Sequence, residues 1–324
     1  MAPVRPRLER ILCPTDFSEF SKQALTHAVR LARWFDARLT VLHVAAAHRV
    51  PAEAAVAPFV VPLEPGEPEP EAATAELDRF VEPALDEGVA VETRVAVGRP
   101  AAEIVSAAEG ICADLVVMGT HGRSGFEHLV LGSVTEKVAR KAGCPVLSVG
   151  NVPPSSVAPL FRRILCASDL TGASDATLDM ALSLAEENMA RVTLLHVVES
   201  LPQAVVHGAL GAQLGQFQRQ LVAEARKRLE RAAHATTGFC DVEQRVEKGT
   251  PWREILRVAE QCYADLIVVG AHARGAVSRS FFGSTANHVM RQAGCPVLVV
   301  RESARRTGRS SGDAAYVAGA RQEV

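Results

Sequence analysis

Two short segments of this chain carry residue types that can meet a ligand, and the first can hold a phosphate. The first, Gly119-Thr120-His121-Gly122-Arg123-Ser124-Gly125, follows the apolar run Leu115-Val116-Val117-Met118 and leads on to Leu131-Gly132-Ser133-Val134. Glycine has no Cβ, so backbone N–H groups beside it can turn inward and approach an anion closely, sometimes at positive φ. Gly132 and Ser133 open a helix whose first N–H groups lack intrahelical partners and carry the positive end of its dipole. Ser133 can donate its hydroxyl there, or cap the helix. A plainer reading stands beside this one, in which Gly119 and Gly122 make a tight turn and Ser133-Val134-Thr135-Glu136 is a capping box. The second segment, Pro14-Thr15-Asp16, follows the first apolar run and offers the carboxylate of Asp16.

Other candidates read more plainly. His43 and His196 lie within apolar strand patterns, where a packed or hydrogen-bonded imidazole is expected, and they are assigned no chemistry. His121 and His272 sit in the glycine loops and are better placed to meet a phosphate. Asp114 and Asp265 precede a strand at the end away from those loops, which suits a turn or cap. Arg226-Lys227-Arg228-Arg231 reads as the solvated face of a helix. The sequence holds no G-x-x-x-x-G-K-[ST], no G-x-G-x-x-G and no H-E-x-x-H, and the phosphate loop brings no lysine and no base to orient water. Binding is therefore the expected chemistry, with no catalytic residue assigned.

The elements that must position these residues follow from periodicity. Residues 9–13, 38–45, 89–96, 114–118 and 146–149 read as strands. The unbroken apolarity of Leu115-Val116-Val117-Met118 fits a parallel strand covered on both faces. Ala24, Ala28, Leu31 and Phe35, with Leu25 and Ala32, recur at helical spacing over 18–35, and 71–87, 100–111 and 132–142 are further helices. Alternation with right-handed crossovers gives an α/β, doubly wound domain with a five-stranded parallel sheet in the order 3-2-1-4-5. The winding reverses between strands one and four, so Pro14-Thr15-Asp16 and the glycine loop converge on one crevice.

The pattern occurs twice. Ile11-Leu12-Cys13-Pro14-Thr15-Asp16 reads again as Ile164-Leu165-Cys166-Ala167-Ser168-Asp169, and Leu42-His43-Val44 as Leu195-His196-Val197, at an offset of 153. Asp114, Gly119, Gly132-Ser133 and Cys144-Pro145 return as Asp265, Gly270, Gly283-Ser284 and Cys295-Pro296 at 151. So long a period means tandem domains rather than a solenoid: domain one over 1–150, a linker over 151–160, domain two over 161–302. The Pro-rich stretch 46–70 is expected to be a loop, either a lid or slack, and 303–324 a disordered tail.

Composition sets limits on partners. Lys plus Arg number 35 against 37 Asp plus Glu, so no global field favours nucleic acid or an anionic membrane. No apolar run approaches a membrane span and the start does not resemble a signal peptide, which points to the cytoplasm. Seven cysteines without paired metal spacing read as reduced thiols.

Gly119, Gly122 and Gly132-Ser133 form G-x2-G-x9-G-[S/T], and with Pro14-Thr15-Asp16-Phe17-Ser18, Leu42-His43-Val44 and Cys144-Pro145-Val146 the chain resembles the universal stress protein family in its tandem form. The resemblance covers nearly all of 8–150 and 161–301. It implies an ATP pocket in domain one, with Pro14, Thr15, Asp16 and Val44 on the adenine and ribose side and Asp16 the polar contact to base, ribose or metal. Met118, Gly119, His121, Gly122, Gly132, Ser133 and Val134 would follow the ribose and phosphates, with Mg²⁺ accompanying them. Arg123 is added as a phosphate neutraliser on charge alone. In domain two Ala273 replaces the second glycine and Ala167 the proline, so Asp169, Val197, Gly270, His272, Gly283 and Ser284 are expected to form a weak or vestigial site. A left-handed backbone at that alanine would cost about 1–2 kcal/mol. The function implied is an ATP-binding stress-response regulator whose occupancy modulates association, as a homo-oligomer, an intramolecular domain pair or with an unidentified protein. The alternatives are a slow Mg²⁺-dependent ATPase, and a nucleotide-independent dimerisation module pairing the apolar fifth strands at sheet edges.

Overall fold

The computed structural model describes residues 8–46, 70–122, 131–150, 160–171, 174–200, 211–234, 241–271 and 282–301. Arg123, His272, Ala273, nearly all of the Pro-rich stretch and of the linker, and the tail lie outside the described residues. The first half runs β1 (Arg10–Thr15), α1 (Glu19–Phe35), β2 (Arg38–Ala46), α2 (Pro70–Asp86), β3 (Val91–Gly98), α3 (Pro100–Gly110), β4 (Leu115–Gly119), α4 (Ser133–Lys141) and β5 (Val146–Val149). The second runs β6 (Arg163–Ala167), α5 (Ser174–Asn188), β7 (Arg191–Glu199), α6 (Gly211–His234), β8 (Val242–Gly249), α7 (Pro251–Gln261), β9 (Leu266–Gly270), α8 (Ser284–Gln292) and β10 (Val297–Val300).

Local chemistry explains the boundaries. Ser18 caps α1 by accepting from the Ser21 N–H, and the helix ends where Asp36 turns left-handed at φ 52. Pro100 and Pro251 occupy first helical positions, where a missing N–H costs nothing. β1 extends beyond the 9–13 expected and takes in Pro14, because pairing to β4 stops at Leu12 while pairing to β2 continues through Pro14 and Thr15. The missing amide of Pro14 thus falls where one neighbour has already left.

Each half has the order 3-2-1-4-5, yet the halves are not separate sheets. Ten strands form one sheet, β3-β2-β1-β4-β5-β10-β9-β6-β7-β8, parallel except where β5 meets β10 antiparallel. There Leu147 faces Leu298, and the Ser148 hydroxyl donates to the Val297 carbonyl at 3.1 Å. Two separate sheets would each expose an apolar edge with unpaired N–H and C=O groups, and mutual pairing removes both. The fifth strands therefore pair within the chain rather than between chains. Leu8, Leu31, Phe161, Met180, Leu184 and Leu298 meet behind the seam. Both apolar layers run through it, one under α1, α2, α5 and α6, the other under α3, α4, α7 and α8.

Backbone strain is duplicated as well. Phe17 and Leu170 (φ 63 and 59), Asp36 and Met189 (52 and 49), and Cys112 and Tyr263 (50 and 51) are left-handed at matching places. Asp114 and Asp265 tie strands rather than cap helices: Asp114 accepts from Glu9 and Arg10 N–H, Asp265 from Arg162 and Arg163 N–H. Among the described residues no helix is long and apolar enough to cross a membrane.

Candidate functional site

The loop after β1 is built around Asp16. Its Oδ1 accepts from the Ser18 amide at 3.1 Å and the Ser18 hydroxyl at 2.6 Å, which fixes the carboxylate at the mouth of the crevice. The reversal needs Phe17 left-handed, at a cost of about 1–2 kcal/mol. Packing holds it there, since the Phe17 ring lies 4.5 Å from that of His43 and 5.5 Å from that of Phe80. Thr15 turns away from the crevice: its buried hydroxyl donates to Ser21 and accepts from the Phe17 amide. His43 is likewise used structurally, with Nδ1 3.0 Å from the Thr15 carbonyl oxygen.

The loop after β4 meets that carboxylate. A Cβ on Gly122 would lie 2.5 Å from Asp16 Oδ2, so a larger residue there would force the carboxylate to move. Its φ is not left-handed, which replaces the conformational reason with a steric one. Gly119 has a different task. A Cβ there would come within 2.9 Å of Phe20 Cβ and 3.0 Å of the Phe20 backbone, so this glycine lets α1 pack on the end of β4. Gly132 is committed too, because its N–H donates to the Thr120 carbonyl at 2.7 Å, closing the loop.

Gly132 is the N-cap of α4 and no side chain caps the helix. Ser133 therefore stands inside the helix rather than at its cap, and the capping-box reading fails. Glu136 instead holds Arg140 of its own helix and Arg291 of α8 across the seam. The uncapped end is anchored by Thr135, whose hydroxyl donates to the Gly119 carbonyl at 2.7 Å. Beside it, His121 stacks 5.0 Å from Phe20 and shares a 3.0 Å hydrogen bond with the Thr120 hydroxyl through Nδ1. Its Nε2 is buried without a hydrogen-bond partner among the described residues. Met118 is buried in the layer beneath, and Val44 and Val134 pack partly exposed against it.

The structure thus brings Asp16, Gly122, His121, Ser133, Val134, Met118 and Val44 to one end of the sheet. Pro14, Thr15, Gly119 and Gly132 shape that end from behind. Such a place can hold a ligand with an anionic part at the start of α4 and an apolar part against Val44 and Met118. Among the described residues no group of three His, Cys, Asp or Glu side chains could hold a metal ion alone. Sequence reasoning passed over Phe17, Phe20, Thr120 and Thr135. Aligning the halves carried the signal for the threonines, since both become alanine at the repeat offset, Ala271 and Ala286.

The second crevice keeps the frame. Asp169 Oδ1 accepts from the Thr171 amide and hydroxyl, and His196 Nδ1 lies 2.8 Å from the Ser168 carbonyl oxygen. Gly283 donates to the Ala271 carbonyl at 2.9 Å and is again an uncapped N-cap, for α8. Gly270 ends β9 with 3.4 Å between its Cβ position and the Thr177 hydroxyl. Ser284 opens α8, and Val197 is buried in the same layer as its counterpart.

A family model described as the universal stress protein family matches residues 7–150 and again 160–301. A universal stress protein of Mycolicibacterium smegmatis is 29% identical over 297 residues, covering 90% of this chain and 96% of that one. Universal stress protein MJ0531 of Methanocaldococcus jannaschii is 39% identical over 147 residues, 44% of this chain and 81% of the relative. Among solved structures, a universal stress protein from Archaeoglobus fulgidus superposes with a TM-score of 0.63 at 25% identity, over 90% of this chain and 98% of that one.

Proposed function

The chain belongs to the universal stress protein family, and we propose that it is an ATP-binding regulator in which nucleotide in the first crevice modulates association with itself or with a protein partner. The observation that carries this reading is the Nε2 of His121, buried with no partner among the described residues, beside the uncapped start of α4. An orphaned polar atom of this kind costs about 1–3 kcal/mol, and a ligand phosphate or ribose hydroxyl would satisfy it. A triphosphate supplies the negative charge that an uncapped helix N-terminus favours. Asp16, pinned by Ser18, is the polar contact to the ribose, the base or a Mg²⁺ ion brought by the phosphates. Val44 and Met118 provide the apolar side for the base. Arg123 and the second-domain site remain part of this proposal, with domain two the weaker binder.

The regulatory step is a coupling and needs no bond to break. Ligand at the start of α4 bears on Ser133, and one turn later Glu136 of the same helix bonds Arg291 of α8. Nucleotide occupancy can then alter how the second domain presents itself, provided the two arrangements bind ATP with different affinity.

Calorimetric titration of the full chain with ATP and Mg²⁺ tests the reading, on wild type and on Gly122→Ala. The alanine methyl displaces the Asp16 carboxylate, so the strongest site should weaken at least tenfold. Absence of binding heat and of thermal stabilisation in the wild type would overturn the proposal and favour a nucleotide-independent interaction module.

A further inference from the structure

On the layer opposite the second crevice, the loop after β6, helix α5, strand β7 and helix α6 enclose a pocket of about 170 Å³. Leu170, Leu178 and Leu194 form its apolar floor, and Arg228 and Arg231 stand at its rim with the hydroxyl residues Ser168 and Thr171. We propose that this pocket binds a small carboxylate with a compact apolar body, a single ring or a short branched chain.

The same place in the first half is filled. Phe17 is the counterpart of Leu170, and both are left-handed at nearly the same φ. Matching Leu77-Asp78-Arg79-Phe80 of α2 with Leu229-Glu230-Arg231-Ala232 of α6, where Arg79 and Arg231 each donate through Nε to the carbonyl four residues back, sets Ala232 where α2 has Phe80. In the first half Phe17 and Phe80 meet edge to face at 5.5 Å and pack against the core. In the second, Leu170 and Ala232 replace these two rings and the volume between them stays open. The pocket is therefore particular to domain two, produced by two substitutions at facing positions.

Its polar groups suit an anion. Arg231 donates through Nε to the Lys227 carbonyl of its own helix, and among the described residues no carboxylate pairs with it. Arg228 is held by Glu224 at 2.7 Å, which leaves the planar fork of Arg231 as the stronger recruiter of a carboxylate. Ser168 accepts from the Leu170 amide, and among the described residues nothing takes its own proton, so the hydroxyl can donate. Thr171 is already committed to Asp169. Size sets the other limit. A cavity of roughly 150 Å³ admits benzene, whereas sites for larger ligands begin at roughly 300 Å³. The pocket is thus scaled to a small ligand rather than a nucleotide, and its lining shares no residue with the proposed ATP site of domain one.

The test uses the full chain with three probes, benzoate, benzyl alcohol and inorganic phosphate, in calorimetry or ligand-observed NMR. Benzoate should bind saturably at one site, and neither the uncharged ring nor the bare anion should saturate over the same range. Arg231→Ala, on the exposed face of α6, should weaken benzoate about tenfold or more. Leu170→Phe restores the first-half residue and should abolish binding, while ATP affinity stays as in the wild type. Lack of saturation by benzoate in the wild type would overturn the proposal. So would unchanged affinity in Leu170→Phe, or phosphate binding as tightly as benzoate. If Leu170→Phe fails to fold, Arg231→Ala decides alone, and unchanged benzoate affinity there counts against the pocket.

Discussion

The two crevices of this protein share a backbone and differ in their side chains. In both, the residue after β4 or β9 donates to the strand beyond it, Thr120 to Val149 and Ala271 to Val300. In both, the glycine that caps the next helix closes the loop. An aspartate accepts from a hydroxyl residue two positions on, and a histidine from the second strand meets the carbonyl before that aspartate. Yet Thr120, Thr135, Met118 and Glu136 of the first half become Ala271, Ala286, Val269 and Asn287 of the second. Main-chain hydrogen bonds tolerate such exchanges because they do not involve the side chain. The polar groups that aim His121 and anchor α4 do not survive them. The lesson is that the two halves share a scaffold, while among the described residues polar side chains of the first crevice give way to smaller ones in the second.

The comparison presupposes that both crevices belong to one body, and the seam is where that can be broken. Leu147 is buried against Leu298, and Leu147→Ala should cost about 3 kcal/mol through lost burial and the cavity left. A single urea transition shifted by that amount is expected. Two separate transitions would show that the halves unfold independently.

Next in size is the contrast between the aspartates. Asp16→Ala should weaken ATP about thirtyfold, some 2 kcal/mol, the worth of a hydrogen bond to a charged group. Asp169→Ala should leave the tighter binding isotherm unchanged. Equal losses from both would erase the asymmetry proposed between the domains.

Thr135→Ala copies the second half into the first and removes the bond to the Gly119 carbonyl. A loss of about 1 kcal/mol in denaturant unfolding is expected. The reverse change, Ala286→Thr, should recover less, because its surroundings are packed around a methyl.

The smallest effect concerns Asp265. Burial raises its pKa above the ordinary 3.8, against the pull of the Arg162 and Arg163 amides. A raised carboxyl pKa means the folded state favours the protonated form, so the group's contribution is most favourable below 3.8. That contribution is lost as pH rises through the folded value. Wild type should therefore lose stability relative to Asp265→Asn across that window and run parallel above it. A slope of opposite sign would mean that the amide bonds outweigh burial.

Much of this was legible without coordinates. The helix over 18–35 emerges as α1 because Ala24, Ala28 and Leu31 repeat at 3.6-residue spacing, and the strand ending in Met118 because it is apolar on both faces. The crevice was legible from topology, since ligands gather where the winding reverses. The individual jobs of the glycines were not. Gly119, Gly122 and Gly132 look alike in a motif, but one admits Phe20, one admits Asp16 and one closes on Thr120. Nothing local distinguishes them, because each reason lies in a residue that is not its neighbour in the chain. Thr15 illustrates the same limit, an apparent crevice residue whose hydroxyl is spent on α1.

By itself, then, the sequence determined what depends on short-range pattern: two copies, the elements of each, their order in a sheet and the loops that meet at its end. Periodic burial and turn chemistry act over a few residues, so they can be read in order. Only the tertiary structure decided that β5 and β10 join the copies into one sheet, that His121 keeps a buried nitrogen with no partner among the described residues, and that leucine and alanine open a pocket where two phenylalanines close it. Those outcomes depend on which distant atoms come within reach of one another, and that follows from how the layers pack.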